Sequence, residues 1–330
     1  MTKALVTGAT GFLGRHTLRR LTELGWEVSG LGRNREIGSQ FAKEGAAFIC
    51  EDLRNLDAVV RACAGQDYVF HCGALSSPWG KYNDFYSCNV TATHNIIEGC
   101  QHHGVRRLIH ISTPSIYFNF KNRYGIQEND LVPVKPANAY VATKRLAELA
   151  VEQAGTEGLE AIILRPRAIF GPMDNALFPR ILQANIGKGV PLLDGGETLI
   201  DLTYVDNVVD AMLLSCSASA SAVGRTYNIS NGESVIFREL VSKLFALLNI
   251  PLHTRVLPYR LAYRAANVLE VLHRLLPLLG EPALTRYSVG TLALAHTLDI
   301  SLAREMLGYE PRVTIAEGLQ LFADWWREQS

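Results

Sequence analysis

Short apolar runs alternate with segments of helical periodicity along the first half of the chain. Six runs are the right length for single buried strands, and they occupy residues 3–7, 27–31, 46–50, 68–72, 107–112 and 160–165. Between them, apolar residues recur every three or four positions, as in amphipathic helices. These helical segments span residues 12–24, 55–63, 86–103 and 138–154. Strands and helices in this alternation predict repeated βαβ units and an α/β fold with a doubly wound parallel sheet.

The regular alternation ends near residue 172 and a Pro-rich, helix-rich sequence follows it, for example FPRILQANIGKGVPLLDGG. We therefore expect a sheet domain over residues 1–172 and a smaller, mainly helical substrate-binding region over residues 173–330. The segment GRTYNIS, residues 224–230, again has the composition of a strand. We expect residues 202–230 to return to the first domain.

A glycine-rich turn, TGATGFLG, follows the first predicted strand. Glycines at this spacing make the tight turn of a Rossmann fold, let the backbone approach a pyrophosphate and let the helix pack on the strand. The N-terminus of the helix then offers free N–H groups to the phosphates. Turn chemistry alone is the competing interpretation, but the flanking strand and helix favour a dinucleotide site. Its expected contacts are Gly8, Thr10, Gly11, Phe12, Leu13 and Gly14.

The second predicted strand ends without the acidic residue that binds the ribose 2′-hydroxyl of NAD. Its end reads GLGRN, with Gly32 in the place of the acid and Arg33 beside it. A planar guanidinium suits a 2′-phosphate, so Arg33, helped by Arg35, predicts NADP in preference to NAD; two solvated arginines are the alternative. Asp52 and Leu53 follow the third strand and are expected beside the adenine, unless Asp52 merely ends the strand.

The segment NAYVATKRLAE places Tyr140 and Lys144 four residues apart, on one face of a predicted helix. A phenol with a pKa of about 10 is a poor acid–base catalyst at neutral pH, and an adjacent ammonium is expected to lower that pKa. The strand RRLIHISTPSIY brings the Thr113 hydroxyl, with Ser112 as the fallback, to the carboxyl edge of the sheet, where such folds bind ligands. Asn89 is a further polar candidate or a helix cap.

Taken together, TGATGFLG, STPS and YxxxK resemble the extended short-chain dehydrogenase/reductase family, also called the NAD-dependent epimerase/dehydratase superfamily. The likeness continues in LRPRAIFGP at residues 164–172 and VDNVVDAM at residues 205–212. The resemblance implies that Tyr140 is the general acid or base, that Lys144 holds the nicotinamide ribose and tunes Tyr140, and that Thr113 orients the substrate oxygen. It makes residues 1–172 an NADP-binding Rossmann domain.

The same resemblance assigns two further residues and an assembly. Asn89 matches the Asn that begins the family helix NVxGT, although Ala92 replaces its glycine, and Pro166 becomes a cofactor contact. A homodimer through the helices at 86–103 and 138–154 is the family's habit.

The sequence before the VxD element argues against a nucleotide-sugar substrate. Sugar enzymes of the family commonly carry an arginine there, whereas this chain has Ile200 in IDLTYVDN. The segment is similar to the 3β-hydroxysteroid dehydrogenase branch, which includes sterol-carboxylate dehydrogenases, and the whole looks closest to the bacterial 2-alkyl-3-oxoalkanoate reductases. Aromatic residues are expected to wall an apolar pocket. The candidates are Trp79, Tyr82, Phe85, Phe118, Phe120 and Phe178.

We therefore hypothesise hydride transfer between NADP(H) and a secondary carbonyl or alcohol of an apolar substrate, either a β-keto acid or a sterol-like molecule, with reduction as the favoured direction. Two alternatives stay open, namely a nucleotide-sugar epimerase or dehydratase and a non-catalytic NADP-binding sensor.

Composition limits the partners and the location. Thirty-two basic residues balance 32 acidic ones, so no overall field attracts nucleic acid. The six cysteines include no CxxC pair and no zinc spacing, which predicts reduced thiols and no metal site. MTKALVTG has no features of a secretory signal, and we expect a cytoplasmic protein.

The apolar tract at 260–280 is interrupted by charged residues. This pattern predicts an amphipathic helix that packs on the domain, with membrane-surface contact or substrate gating as the alternatives.

Overall fold

The computed structural model describes residues 1–329. The first strands and helices lie close to the positions that the periodicity predicts. The strands are β1 (Lys3–Thr7), β2 (Glu27–Gly32), β3 (Ala47–Cys50), β4 (Tyr68–His71), β5 (Arg107–Ile111), β6 (Arg123–Ile126), β7 (Ala161–Pro166), β8 (Ile169–Phe170), β9 (Val190–Leu193), β10 (Leu199–Asp201), β11 (Thr203–Tyr204), β12 (Thr226–Ile229), β13 (Ser234–Ile236), β14 (Thr254–Leu257) and β15 (His296–Leu298).

The helices alternate with the strands in the first half of the chain and dominate the second half. They are α1 (Phe12–Glu23), α2 (Arg35–Phe41), α3 (Leu56–Cys63), α4 (Tyr82–Phe85), α5 (Ala92–His103), α6 (Ala139–Thr156), α7 (Leu177–Ile186), α8 (Val205–Ser217), α9 (Phe237–Leu248), α10 (Tyr259–Leu275), α11 (Arg286–Ala293), α12 (Ser301–Leu307) and α13 (Ile315–Gln329). A π-helical turn, Tyr86–Thr91, joins α4 to α5.

A seven-stranded parallel sheet forms the centre of the molecule, with the strand order β12-β7-β5-β4-β1-β2-β3. Helices α3, α5 and α6 cover one face through apolar side chains such as Val59, Ile96 and Val151. Helices α1 and α8 cover the other face through residues such as Leu18 and Met212. The predicted α/β class, with its doubly wound Rossmann sheet, is confirmed.

The chain leaves this sheet after β7 and comes back to it at β12, which pairs in parallel with β7. Between and after these strands lie the helices of the C-terminal region, together with a four-stranded sheet in the order β13-β10-β15-β6. The predicted mainly helical region is therefore present and also contains short strands. Of the helices within residues 1–329, none combines the length and the apolar character needed to cross a membrane.

Helix α10 covers the tract that the sequence marks as strongly apolar. Its inner face buries Ala262 and Ala266, whereas Leu261, Val268 and Leu275 are exposed on its outer face. The amphipathic helix that the charge pattern predicts is present. Contact of its outer face with a membrane surface stays a prediction.

Candidate active site

A cleft of about 420 Å³ opens at the carboxyl edge of β1, β2 and β4. Its floor is made by glycines, because the backbone of two loops meets there. Gly8 has a φ of +64°, and a Cβ on it would lie 2.7 Å from the Cα of Gly73. A Cβ on Gly14 would lie 2.2 Å from the carbonyl oxygen of Gly8. The cradle is therefore shaped for a ligand that approaches the bare backbone.

The N-terminus of α1 faces this cradle without a cap. Gly11 supplies no capping side chain, and the first turn contains no acidic residue. Gly11 itself donates to the Gly8 carbonyl at 2.9 Å, whereas the amides of Phe12 and Leu13 have no acceptor within residues 1–329. Free N–H groups and a positive helix end fit a pyrophosphate. Gly8, Thr10 and Gly11 line the cleft, whereas Phe12, Leu13 and Gly14 do not.

Charged residues gather at the far end of the cleft, after β2 and β3. The Asp52 carboxylate accepts hydrogen bonds from Arg54 at 2.7 and 2.9 Å, and Arg33 lies 3.7 Å from it. Arg54 is the main reason that the pKa of Asp52 falls to about 2. Arg33, Asp52, Leu53 and Arg54 line the cleft, whereas Arg35 does not. Arg54 was missed because sequence alone does not tell which cation reaches Asp52.

Two anchors fix the helix that carries Tyr140 and Lys144. Asn138 caps its N-terminus by accepting from the Val141 amide at 2.9 Å. Near its middle, the buried Glu148 accepts from the Arg165 guanidinium of β7 at 3.0 and 2.5 Å. This ion pair fixes the position of α6 along β7. Because β7 ends at the carboxyl edge of the sheet, Tyr140 lies at that edge.

The hydroxyl groups of Thr113 and Ser76 lie near the Tyr140 hydroxyl, and both act to lower its pKa. Thr113 follows β5, as the strand prediction placed it, and Ser76 lies in the loop after β4. The fallback residue Ser112 lies beside Glu148 instead. Ser76 was missed, although its position just beyond a strand end at the ligand edge is the signal that would have found it.

The two ionisable groups of α6 are buried, and their pKa values move in opposite directions. Burial raises the pKa of Tyr140 to about 12, with a smaller contribution from Tyr287. Burial lowers the pKa of Lys144 to about 8, because Glu148 and Cys72 only partly compensate. The expected lowering of the phenol pKa by Lys144 is therefore wrong for the protein alone. The Lys144 ammonium donates to the Ile111 carbonyl at 2.6 Å, so it is bound to the sheet edge.

Seven of the predicted residues line neither of the two cavities at the site, namely Phe12, Leu13, Gly14, Asn89, Thr113, Lys144 and Pro166. Asn89 is buried, and its side chain accepts from the Leu75 amide at 2.7 Å and donates to the Leu75 carbonyl and to Thr143, both at 3.1 Å. It therefore holds the loop after β4. Pro166 is the last residue of β7 and lies opposite Ile229 of β12.

A second cavity, of about 390 Å³, is lined by Tyr140. Most of its walls are aliphatic or aromatic, and Arg180 is its one charged lining residue within the described chain. The lining is Ser76, Ser77, Pro78, Tyr140, Ala168, Ile169, Ala176, Leu177, Arg180, Ile181, Ala184, Val190, Pro191, Phe237, Tyr287, Ser288, Thr291 and Leu292.

The predicted apolar pocket therefore has other walls than the sequence suggested. None of the six aromatic candidates lines this cavity. Phe178 is fully buried and packs against Phe170 and Phe322, while Trp79 and Phe85 border a smaller neighbouring pocket. Aromatic content identifies apolar residues but does not tell a core position from a cavity wall.

A Rossmann sheet, a glycine cradle and a Tyr–Lys helix at the carboxyl edge define an NAD(P)-dependent short-chain dehydrogenase/reductase. The chain belongs to the NAD dependent epimerase/dehydratase family, whose model matches residues 4–230. It is similar to the 2-alkyl-3-oxoalkanoate reductase of Stenotrophomonas maltophilia, with 38% identity over 96% of this chain and 97% of that protein. It is also similar to the sterol-4-alpha-carboxylate 3-dehydrogenase, decarboxylating, of Mus musculus, with 32% identity over 96% of this chain and 89% of the relative.

Solved structures show the same fold at lower identity. The UDP-glucuronic acid 4-epimerase from Bacillus cereus, in complex with UDP-glucuronic acid and NAD, is 22% identical, with a TM-score of 0.79 and full coverage of both chains. At this identity the likeness concerns the fold alone.

Proposed function

We propose that the protein is an NADP(H)-dependent ketoreductase that acts on a secondary carbonyl of an apolar substrate. The observation that carries the proposal is the position of Tyr140. Tyr140 lines the mainly apolar cavity, whose neighbouring loop residues 72–75 line the dinucleotide cleft, and the hydroxyls of Thr113 and Ser76 lie near its phenol. A carbonyl in that cavity can accept hydrogen bonds from the same hydroxyl groups.

NADPH, when bound in the cleft, supplies the hydride. The chain's own residues then handle the proton. Tyr140 has a raised pKa, so it is a neutral phenol at neutral pH and can donate its proton to the oxygen of the carbonyl as that oxygen becomes an alkoxide. The Thr113 and Ser76 hydroxyls stabilise the same oxygen. Lys144, which is bound to the Ile111 carbonyl, places a positive charge on the helix face that carries Tyr140 and favours the phenolate left behind.

Asn89 has a positioning role in this proposal, since two of its hydrogen bonds hold Leu75 in the loop that carries Ser76 and the third goes to Thr143 of α6. Arg33 provides the selectivity for NADP, because it is the cation at the cleft mouth whose side chain is not already bound bidentately to Asp52. For Pro166 we propose only a backbone contact with the nicotinamide end of the bound cofactor.

The relatives support an apolar substrate. The names of the Stenotrophomonas and mouse relatives describe an alkyl oxo acid and a sterol acid. The cavity agrees in character, because it lacks the several cations that a diphosphate would need. Ile200 lies in β10 and pairs with His296 of β15, so it adds no positive charge.

Turnover of NADPH by the purified protein tests the proposal. We expect oxidation of NADPH with β-oxodecanoate or a cyclic ketone, and none with UDP-glucose. Tyr140→Phe should lower kcat by about 100-fold or more, because one proton donor is removed, while the Kd of NADPH changes little. Tyr124→Phe, which removes an exposed phenol hydroxyl from a residue that lines neither cavity, is the matched control. Turnover that is unchanged in Tyr140→Phe would refute the assigned role.

The proposed assembly is a homodimer through α5 and α6. Their outer surface carries exposed apolar residues, among them Leu146 and Leu149 of α6. The molar mass in solution, measured by light scattering, tests this directly.

A further inference from the structure

Arg167 follows β7 and is a buried cation without a partner. Its backbone is fixed, because its amide donates to the Ile229 carbonyl at 2.9 Å and its carbonyl accepts from the Thr203 hydroxyl at 2.6 Å. Its side chain is only 9% exposed, and its Nε has no acceptor. Within residues 1–329 the guanidinium forms neither a hydrogen bond nor an ion pair. A buried charge in this state costs stability unless a ligand completes it.

The neighbouring groups do not supply the missing anion. Asp201 is the carboxylate that interacts electrostatically with Arg167, but it already accepts from the Ser234 hydroxyl at 2.5 Å and from the Leu298 amide at 2.7 Å. The nearby His296 ring is neutral, since burial holds its pKa well below the usual range. The N–H donors of the Arg167 guanidinium therefore remain available to a bound ligand.

The position of Arg167 points to the substrate cavity. The next two residues, Ala168 and Ile169, line that cavity, and so does Tyr287. Tyr287 lies in electrostatic range of both Arg167 and Tyr140, and its hydroxyl donates to Ser115 at 2.8 Å. Arg167 does not line the cavity itself, but its two following residues do, and Tyr287 connects it electrostatically to the proposed proton donor.

We infer that Arg167 binds a carboxylate that the substrate carries next to its reacting carbonyl, so that the protein selects oxo acids over neutral ketones. This inference rests on the proposed function and adds its specificity-determining residue. A guanidinium suits a carboxylate because it offers two parallel N–H donors. An apolar tail then occupies the remainder of the cavity, while the paired carboxylate and guanidinium neutralise each other next to Tyr140.

A matched pair of substrates tests the inference. The kcat/KM of NADPH-dependent reduction is measured for β-oxodecanoate and for its methyl ester, which has the same chain and carbonyl without the negative charge. The wild-type protein should prefer the acid. Arg167→Met, which keeps the length of the side chain, should lower kcat/KM for the acid by about 100-fold and for the ester by about threefold or less. Arg167→Lys should keep part of the preference.

Arg180→Met is the control, because Arg180 also lines the cavity but is exposed to solvent. This variant should keep the preference for the acid. If Arg180→Met loses the preference and Arg167→Met keeps it, the assignment of Arg167 is overturned. The same conclusion follows if Arg167→Met lowers both substrates equally.

Thermal unfolding gives a readout that does not depend on turnover. Removal of an unpaired buried charge should raise the Tm of Arg167→Met by a few degrees, and β-hydroxydecanoate should raise the Tm of the wild-type protein but not that of the variant. A structural role would instead lower the Tm of the variant. If the wild-type protein reduces neither substrate yet is stabilised by the hydroxy acid, the ketoreductase proposal fails and the carboxylate site stands. If the hydroxy acid and its methyl ester protect wild type equally, the carboxylate site fails.

Discussion

Removal of the Arg33 guanidinium is the sharpest test of the preference for NADP. Arg33 lines the cleft with a side chain that is 68% exposed, and Asp52 lies 3.7 Å away and competes for it. A hydrogen bond to a charged group contributes about 1.5–3 kcal/mol, which exposure and this competition reduce to about 1–2 kcal/mol. Arg33→Ala should therefore weaken NADPH binding by about 5- to 30-fold. NADH lacks the 2′-phosphate, so its Kd should change by about twofold at most.

Calorimetric titration of the purified protein with each dinucleotide gives the two Kd values. Arg35→Ala is the matched control, because Arg35 carries the same charge two residues further on but does not line the cleft. The salt dependence of NADPH binding should also become shallower in the Arg33 variant, since one exposed ionic contact is lost. Equal losses for NADPH and NADH, or the same loss in Arg35→Ala, would refute the reasoning.

Two further substitutions test the buried parts of the site. The pKa of Lys144 is lowered to about 8 from 10.5, so between these pH values the unfolded chain binds more protons and the stability of the wild-type protein rises with pH. Lys144→Met removes the buried charge, so its free energy of unfolding relative to wild type should be most favourable at pH 7. In chemical denaturation this difference should shrink by about 2–4 kcal/mol from pH 7 to pH 10.5. A difference that is constant with pH would contradict the burial of the charge. Asn89→Ala leaves the Leu75 backbone groups unpaired and should cost about 1–3 kcal/mol of stability. Its kcat should fall while the Kd of NADPH holds, and a kcat equal to that of wild type would exclude the positioning role.

The sheet could be predicted from the sequence because its signals are local. The central strands β4, β5 and β7 are short, largely apolar runs that are fully buried, and each crossover helix carries its own 3.6-residue periodicity. The short strands of the C-terminal region gave no such signal. Strand β15, for example, has three residues and pairs with β6 and β10, which lie far away in the sequence. Its pairing depends on the tertiary fold and not on a repeated pattern.

The candidate site divides in the same way. The glycine turn and the spacing of Tyr140 and Lys144 are fixed within one turn of backbone, so the sequence places them. The roles of Ser76 and Arg167 depend on contacts between loops that are distant in the sequence. Their burial follows from these tertiary contacts, so the sequence alone does not predict it. The pKa of Tyr140 illustrates the difference, because a neighbouring ammonium four residues away predicts a lower value, whereas desolvation by the surrounding chain raises it.

One loop connects the two halves of the proposed reaction. Residues 72–75 line the dinucleotide cleft, and residues 76–78 line the apolar cavity. Leu75 is the last residue of this loop that lines the dinucleotide cleft, and the Asn89 side chain binds both the amide and the carbonyl of Leu75. A shift of Leu75 would displace the cofactor wall and the Ser76 hydroxyl together. The buried amide of Asn89 therefore fixes the position of both cavities relative to Tyr140, which explains why this polar side chain is buried.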